Sequence, residues 1–241
     1  MYEQKKNGLV GKCLSNQVFT EDWEYILETA LVFNDWQMGE ISLVYPVPEG
    51  RGTLVVRDDV PYLTEDSPLE VIKRFFQRHR LMDYYLMRRA CQSLPVLPSK
   101  KVPIVNAHFG LFPIEAPENS VWLNPLMIAN AQALDRDSFV ELTNGLSMEL
   151  PIHRKSLIYL SSRAVYTLAT YRQDYSATLL SEGRPLDYVA LPATPFGQLL
   201  SKQELLQQWL LTPGEFFNQY KYQECVKWYR SLSAKEFELL D

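Results

Sequence analysis

The stretch that decides the fold is "ELTNGLSMELPIHRKS", Glu141–Ser156. Asn144-Gly145 sits between two runs of alternating apolar and polar residues, "SFVEL" and "LSMELPI". Asn-Gly is the strongest short hairpin signal, so the pair predicts a turn between two alternating strands over about 138–152. Pro151 closes the second strand. Ser156 then caps a predicted helix over about 157–173, with Leu157, Leu160, Ala164, Leu168 and Tyr171 along it. The triplet His153-Arg154-Lys155 therefore lies where a strand gives way to a helix start.

Working upstream, Thr20 caps a predicted helix through "EDWEYILETALVF". The run "GEISLVYPVPEGRGTLVVRDDVPYLT" holds two β-rich segments around Pro48-Glu49-Gly50-Arg51-Gly52, a second hairpin. "SPLEVIKRFFQRHRLMDYYLMRRACQ" opens with Ser67, Pro68 and Glu70, a capping box with proline at the first helical position. Val71, Ile72, Phe75, Phe76, Met82 and Leu86 share one side of this helix, and Lys73, Arg74, Gln77 and Arg88 share the other. Asp83 marks a break. The proline-rich stretch 94–125 predicts short or edge strands.

Downstream, three capping boxes follow one another: Ser201 with Glu204, Thr212 with Glu215, and Ser233 with Glu236. They predict helices burying Leu205, Leu206 and Trp209, then Phe216, Phe217, Tyr220 and Trp228, then Phe237. This extension, residues 198–241, either packs on the main domain or forms an oligomer surface. Together the elements predict an α+β protein with a largely antiparallel β-core, a basic amphipathic helix and a helical C-terminal extension.

The chain carries a net charge of −5, but the charge is segregated. Residues 67–101 hold eight basic and two acidic side chains, and 151–175 hold four and one. Residues 1–66 hold five basic and twelve acidic ones. Two basic islands in an acidic chain are either solvated faces or a polyanion surface. No run of about 18 apolar residues predicts a membrane span, and "MYEQKKNGLVGKC" lacks the apolar core of a signal peptide. Cys13, Cys91 and Cys225 are too far apart for zinc spacing and odd in number, which points to a reducing cytoplasm.

Enzyme motifs are missing: there is no Gly-rich phosphate loop, nucleophile elbow, H-E-x-x-H or C-x-x-C. Asp135-Arg136-Asp137 reads as a polar turn before a strand rather than a metal site. Arg154 and Lys155 stand where free N–H groups and the helix dipole already favour an anion, and His153 can join them. The triplet thus suits a phosphate backbone; its structural alternative is a salt bridge to one of the acidic segments. The residues expected at phosphates or in a groove are Arg74, Arg78, Arg88, Arg89, Lys100, Lys101, His153, Arg154 and Lys155. A different class, a regulatory adaptor that binds proteins and no DNA, is suggested by the acidic N-terminal third and the aromatic tail.

"SPLEVIKR" (67–74), "MRRA" (87–90), "VPIV" (102–105), "GLFPIE" (110–115), "VWLN" (121–124) and "LTNGLSMELPI" (142–152) follow one another in the order seen in the competence transcription factor family, ComK, which this chain resembles over about 67–172. The resemblance implies one DNA-binding domain over 1–182 and a cytoplasmic, nucleoid-associated activator without a cofactor. It also implies a homo-oligomer that binds A/T-rich double-stranded DNA largely through the minor groove and bends it. Arg74, Arg88, Arg89 and the Asn144-Gly145 turn match family positions, while Met87 stands where the family has glycine. The family's signal for a protease adaptor falls at "DYVALPAT", Asp187–Thr194, without its first aromatic and its lysine.

Overall fold

The structure is a computed structural model that describes residues 7–15, 17–175 and 183–238, the side chains of 7 and 233–238 excepted. The Asn-Gly turn joins β10 (Asp137–Leu142) to β11 (Ser147–Leu150), antiparallel, with Val140 opposite Met148. Gly145 takes φ 83°, and Asn144 Oδ1 accepts the Leu146 N–H at 3.1 Å. Ser138, Val140, Leu142, Met148 and Leu150 all point inward, the period-2 burial that alternation predicts. The turn is covered by the chain's own start. Gly11 N donates to Gly145 O at 3.1 Å, and β1 (Cys13–Ser15) pairs parallel with β11. With β9 (Ile128–Leu134) these strands form a sheet in the order β1-β11-β10-β9. Asp135-Arg136 is the polar turn between β9 and β10.

A second sheet holds β2 (Leu31–Val32), β3 (Ile41–Pro46), β4 (Thr53–Arg57), β5 (Val60–Thr64), β6 (Ile104–Val105), β7 (Gly110–Pro113) and β8 (Trp122–Leu123). Their order is β2-β5-β4-β3-β8-β7-β6, and β2–β5 is its parallel pair. The β3–β4 reversal falls at the expected Pro48–Gly52. The run after it contains a further reversal, at Asp58-Asp59, with φ 49° and 61°. Two left-handed residues make the turn that suits strand twist, and short acidic side chains accept it. The helix predicted from Thr20 ends early: α1 spans Glu21–Thr29, and Leu31-Val32 leave it to pair with Tyr62 and Leu63.

The basic segment folds as two helices, α2 (Pro68–Arg78) and α3 (Tyr84–Gln92), divided where Asp83 breaks the pattern. Asp83 caps α3, its Oδ1 accepting from Tyr85 N at 2.9 Å and Leu86 N at 3.1 Å. Tyr84 meets the buried Trp122 ring edge-on at 5.5 Å, which seats α3 on the second sheet with Arg88 and Arg89 facing outward. α4 (Arg154–Tyr175) threads the molecule between the sheets and the tail. It starts at Arg154, two residues before the expected cap Ser156. Its buried residues lie on every side rather than along one stripe, because neighbours surround it.

The extension packs on the body. After α5 (Pro195–Leu200) and a short 3-10 turn, α6 (Glu215–Glu238) begins against α4. Asp174 of α4 caps it, accepting Gly214 N at 2.6 Å and Phe217 N at 2.8 Å. Burial nevertheless pushes that carboxyl above its ordinary value, since these amides offset desolvation only in part. Phe216 and Tyr220 are buried as predicted. Three expectations fail here. Ser201 does not cap, its hydroxyl donating instead to Gln198 O at 2.9 Å. α6 runs unbroken past Ser233, which opens no new helix, and the Phe237 side chain lies outside the described residues. Trp228 is 68% exposed, because the neighbouring Lys227 turns toward Asp83 and leaves the next position facing solvent.

Candidate nucleic-acid interface

The first basic island divides in the fold. Arg74 Nε lies 2.9 Å from Asp35 and its Nη1 reaches Asp66. Arg78 lies 3.9 Å from Asp35 and stacks over Trp36 at 3.6 Å. The loop that brings Asp35 and Trp36 is itself fixed by Arg57. That buried guanidinium donates to Asn34 O at 2.7 Å and Gln37 O at 2.9 Å, and lies over Tyr62 at 4.5 Å. Arg74 and Arg78 therefore serve the chain's own acidic N-terminal third.

Arg88 and Arg89 remain without an ion pair among the described residues. They line a groove of about 470 Å³ together with Tyr85, Leu86 and Gln92 of α3 and with Lys227 and Arg230 of α6. Lys227 Nζ bridges to Asp83 Oδ2 at 2.9 Å. Burial pulls the Asp83 carboxyl up, but Lys227 and the capping amides outweigh it and hold it below its ordinary value.

A second groove, about 370 Å³, is bounded by Ser99, Lys100, Lys101, Ser156, Tyr159 and Arg163. The two grooves abut: Gln92 of the first donates to Ser99 O of the second at 3.2 Å. Within it, Lys101 turns its ammonium inward to Ile114 O, leaving Lys100 exposed. Arg163 is half-buried, donating to Val96 O at 3.3 Å and lying over the Tyr159 ring at 4.9 Å.

The second island divides too. Arg154 Nε donates to Ala131 O of β9 at 2.6 Å, so this guanidinium steadies the first sheet. Lys155 is exposed one turn before Tyr159 and is not among the residues that line the second groove. His153 is exposed, its carbonyl accepting the Leu157 N–H at 2.9 Å. Asn144 is occupied by its own turn. Of the ten residues expected at DNA, the fold thus gathers Arg88, Arg89, Lys100 and Lys101 along two abutting grooves, leaves His153 and Lys155 exposed outside their linings, and engages Arg74, Arg78, Asn144 and Arg154 internally. Lys227 and Arg230 escaped sequence reasoning. Their i,i+3 spacing put them on one helical side, but no local signal tied that side to α3.

Among the described residues, no group of three or more His, Cys, Asp or Glu is placed to hold a metal ion. None of their helices is long and apolar enough to cross a membrane. Cys13, Cys91 and Cys225 are free.

A family model described as "ComK protein" matches residues 45–176, more than half of the chain. The chain belongs to the ComK family. This is a family of competence transcription factors, and the expected resemblance over 67–172 lies inside the match. No curated protein and no solved structure matches the chain. The ComK region begins within β3 and ends at the close of α4, so it contains the α3 side of the first groove and all of the second. The cations of α6 lie beyond it.

Proposed function

We propose that this ComK-family chain is a transcription activator that binds A/T-rich double-stranded DNA through phosphates and the minor groove. The observation that carries the reading is the abutment of two grooves bearing cations from islands far apart in sequence: Arg88, Arg89 and Lys100 of the first island and Arg163 of the second. Phosphate contacts position the protein, and an arginine entering a narrow A/T-rich minor groove meets a deepened negative potential. Base-edge reading contributes little there, since A·T and T·A look alike. Bending the site costs ~1–6 kcal/mol, offset by added phosphate contacts and by joining protomers in a homo-oligomer. The activator works without a cofactor, in the cytoplasm at the nucleoid. Contact with a protease adaptor at Asp187–Thr194 is not part of this proposal, because that segment lacks the signal's aromatic and lysine.

Four phosphate contacts predict a salt slope of about −3.6 per protomer, which is a roughly 150-fold loss of affinity between 50 and 200 mM salt. Fluorescence anisotropy on A/T-rich and G/C-rich duplexes across that range tests the reading. Tighter binding of the A/T-rich duplex is expected, with Arg88→Ala and Lys100→Ala each lowering the slope by about 0.9. Failure to bind either duplex, or a slope unmoved in the Arg88→Ala/Lys100→Ala double variant, refutes it. The protein-binding adaptor has one observation in its favour, the exposed Tyr222 and Trp228 on α6, and absence of DNA binding would favour it.

A further inference from the structure

We infer that the C-terminal helix completes the polyanion groove, with Lys227 anchoring the helix on Asp83 and Arg230 binding the same sugar-phosphate strand as Arg88 and Arg89. This rests on the DNA-binding reading above and extends it to a segment outside the family match, which ends at residue 176. α6 is held against α3 by fixed contacts. Tyr220 Oη accepts the Asp83 N–H at 2.9 Å, Lys227 bridges Asp83, and Asp174 caps the helix start. The tail therefore presents Arg230 from a rigidly held helix. Arg230 makes no ion pair among the described residues and faces the groove one turn beyond Lys227.

The composition of the groove suits a nucleic-acid strand. Cations come from both helices, and Tyr85 and Leu86 add apolar surface to the lining. A ribose can rest against that surface while its flanking phosphates meet the cations. The Asp83 carboxylate adds no uncompensated negative charge, because Lys227 and two amides hold it. The groove on α3 alone would offer cations from one helix only, so the tail adds those of a second.

Five contacts rather than four, since Lys227 is taken up by Asp83, raise the predicted slope to about −4.5 per protomer. The test uses the full-length chain and an A/T-rich duplex, with anisotropy read from 50 to 200 mM salt. Arg230→Ala is expected to lower the slope by about 0.9, shrinking the affinity loss over that range by about 3.5-fold. Arg230→Lys should restore the slope, and Lys202→Ala, an exposed tail cation outside the groove, should leave it unchanged. Circular dichroism and the urea midpoint check that α6 stays folded. If Arg88→Ala lowers the slope while Arg230→Ala does not, the tail's role is overturned and the DNA-binding reading stands. If neither moves it, both fall.

Discussion

Replacing Asp83 by alanine removes the junction that both caps α3 and anchors α6. Its Oδ1 accepts two amide hydrogens at 2.9 and 3.1 Å, and its Oδ2 meets Lys227 at 2.9 Å. α3 has nine residues, too few for a helix to persist by itself, so its first-turn donors depend on this carboxylate. Loss of the cap costs about 1 kcal/mol. The ion pair adds at most about 0.5 kcal/mol, because Lys227 is largely exposed and solvent screens it. The expected loss at pH 7 is therefore about 1.5 kcal/mol, read from urea denaturation by linear extrapolation. Lys227→Ala should cost about 0.5 kcal/mol, and the double-mutant cycle should return a coupling of that size. The pH dependence follows from the direction of the shift. A carboxyl held below its unfolded value stabilises fully above that value, near pH 4, and its contribution disappears as pH falls through the lower folded value. Parent and variant should thus converge in acid. A difference under about 0.5 kcal/mol at pH 7, or one that widens below pH 4, would refute the reasoning, since surface substitutions without such a role stay within about 0.5 kcal/mol.

Gly145→Ala should lose about 1–2 kcal/mol in thermal or urea unfolding, because φ 83° is left-handed and the new Cβ would stand 3.2 Å from the Val10 backbone; an unchanged midpoint would mean that the N-terminal segment does not cover this turn. Arg74→Ala should cost about 1–3 kcal/mol, since Asp35, its side chain 10% exposed, keeps only Arg78 at 3.9 Å. The same variant should leave the DNA salt slope unmoved, and a fall of about 0.9 would return Arg74 to the interface.

Much of the fold was legible in short signals. Asn144-Gly145 with its flanking alternation specified the hairpin, because a tight reversal and a period-2 burial pattern are both local properties; the loop has three residues, Thr143–Gly145, with Gly145 taking the left-handed φ. Ser67, Pro68 and Glu70 specified the start of α2 for the same reason. The reversal at Asp58-Asp59 was harder to see, since aspartate accepts left-handed φ without announcing it as glycine does. The mis-set start of α4 and the exposure of Trp228 share another cause: a helix boundary or face is decided by what lies against it.

The candidate site divides along the same line. Sequence by itself determined the family, the α+β class, the two islands of positive charge and the helical spacing that keeps Arg88 on an outward face. Only tertiary structure decided which charges stay available. Arg74 and Arg78 met Asp35 and Asp66, Arg154 turned to a carbonyl on β9, and Lys227 and Arg230 crossed from the tail to join Arg88 and Arg89. Periodicity orders side chains around one helix, whereas the pairing of a charge depends on through-space distance between elements far apart in the chain.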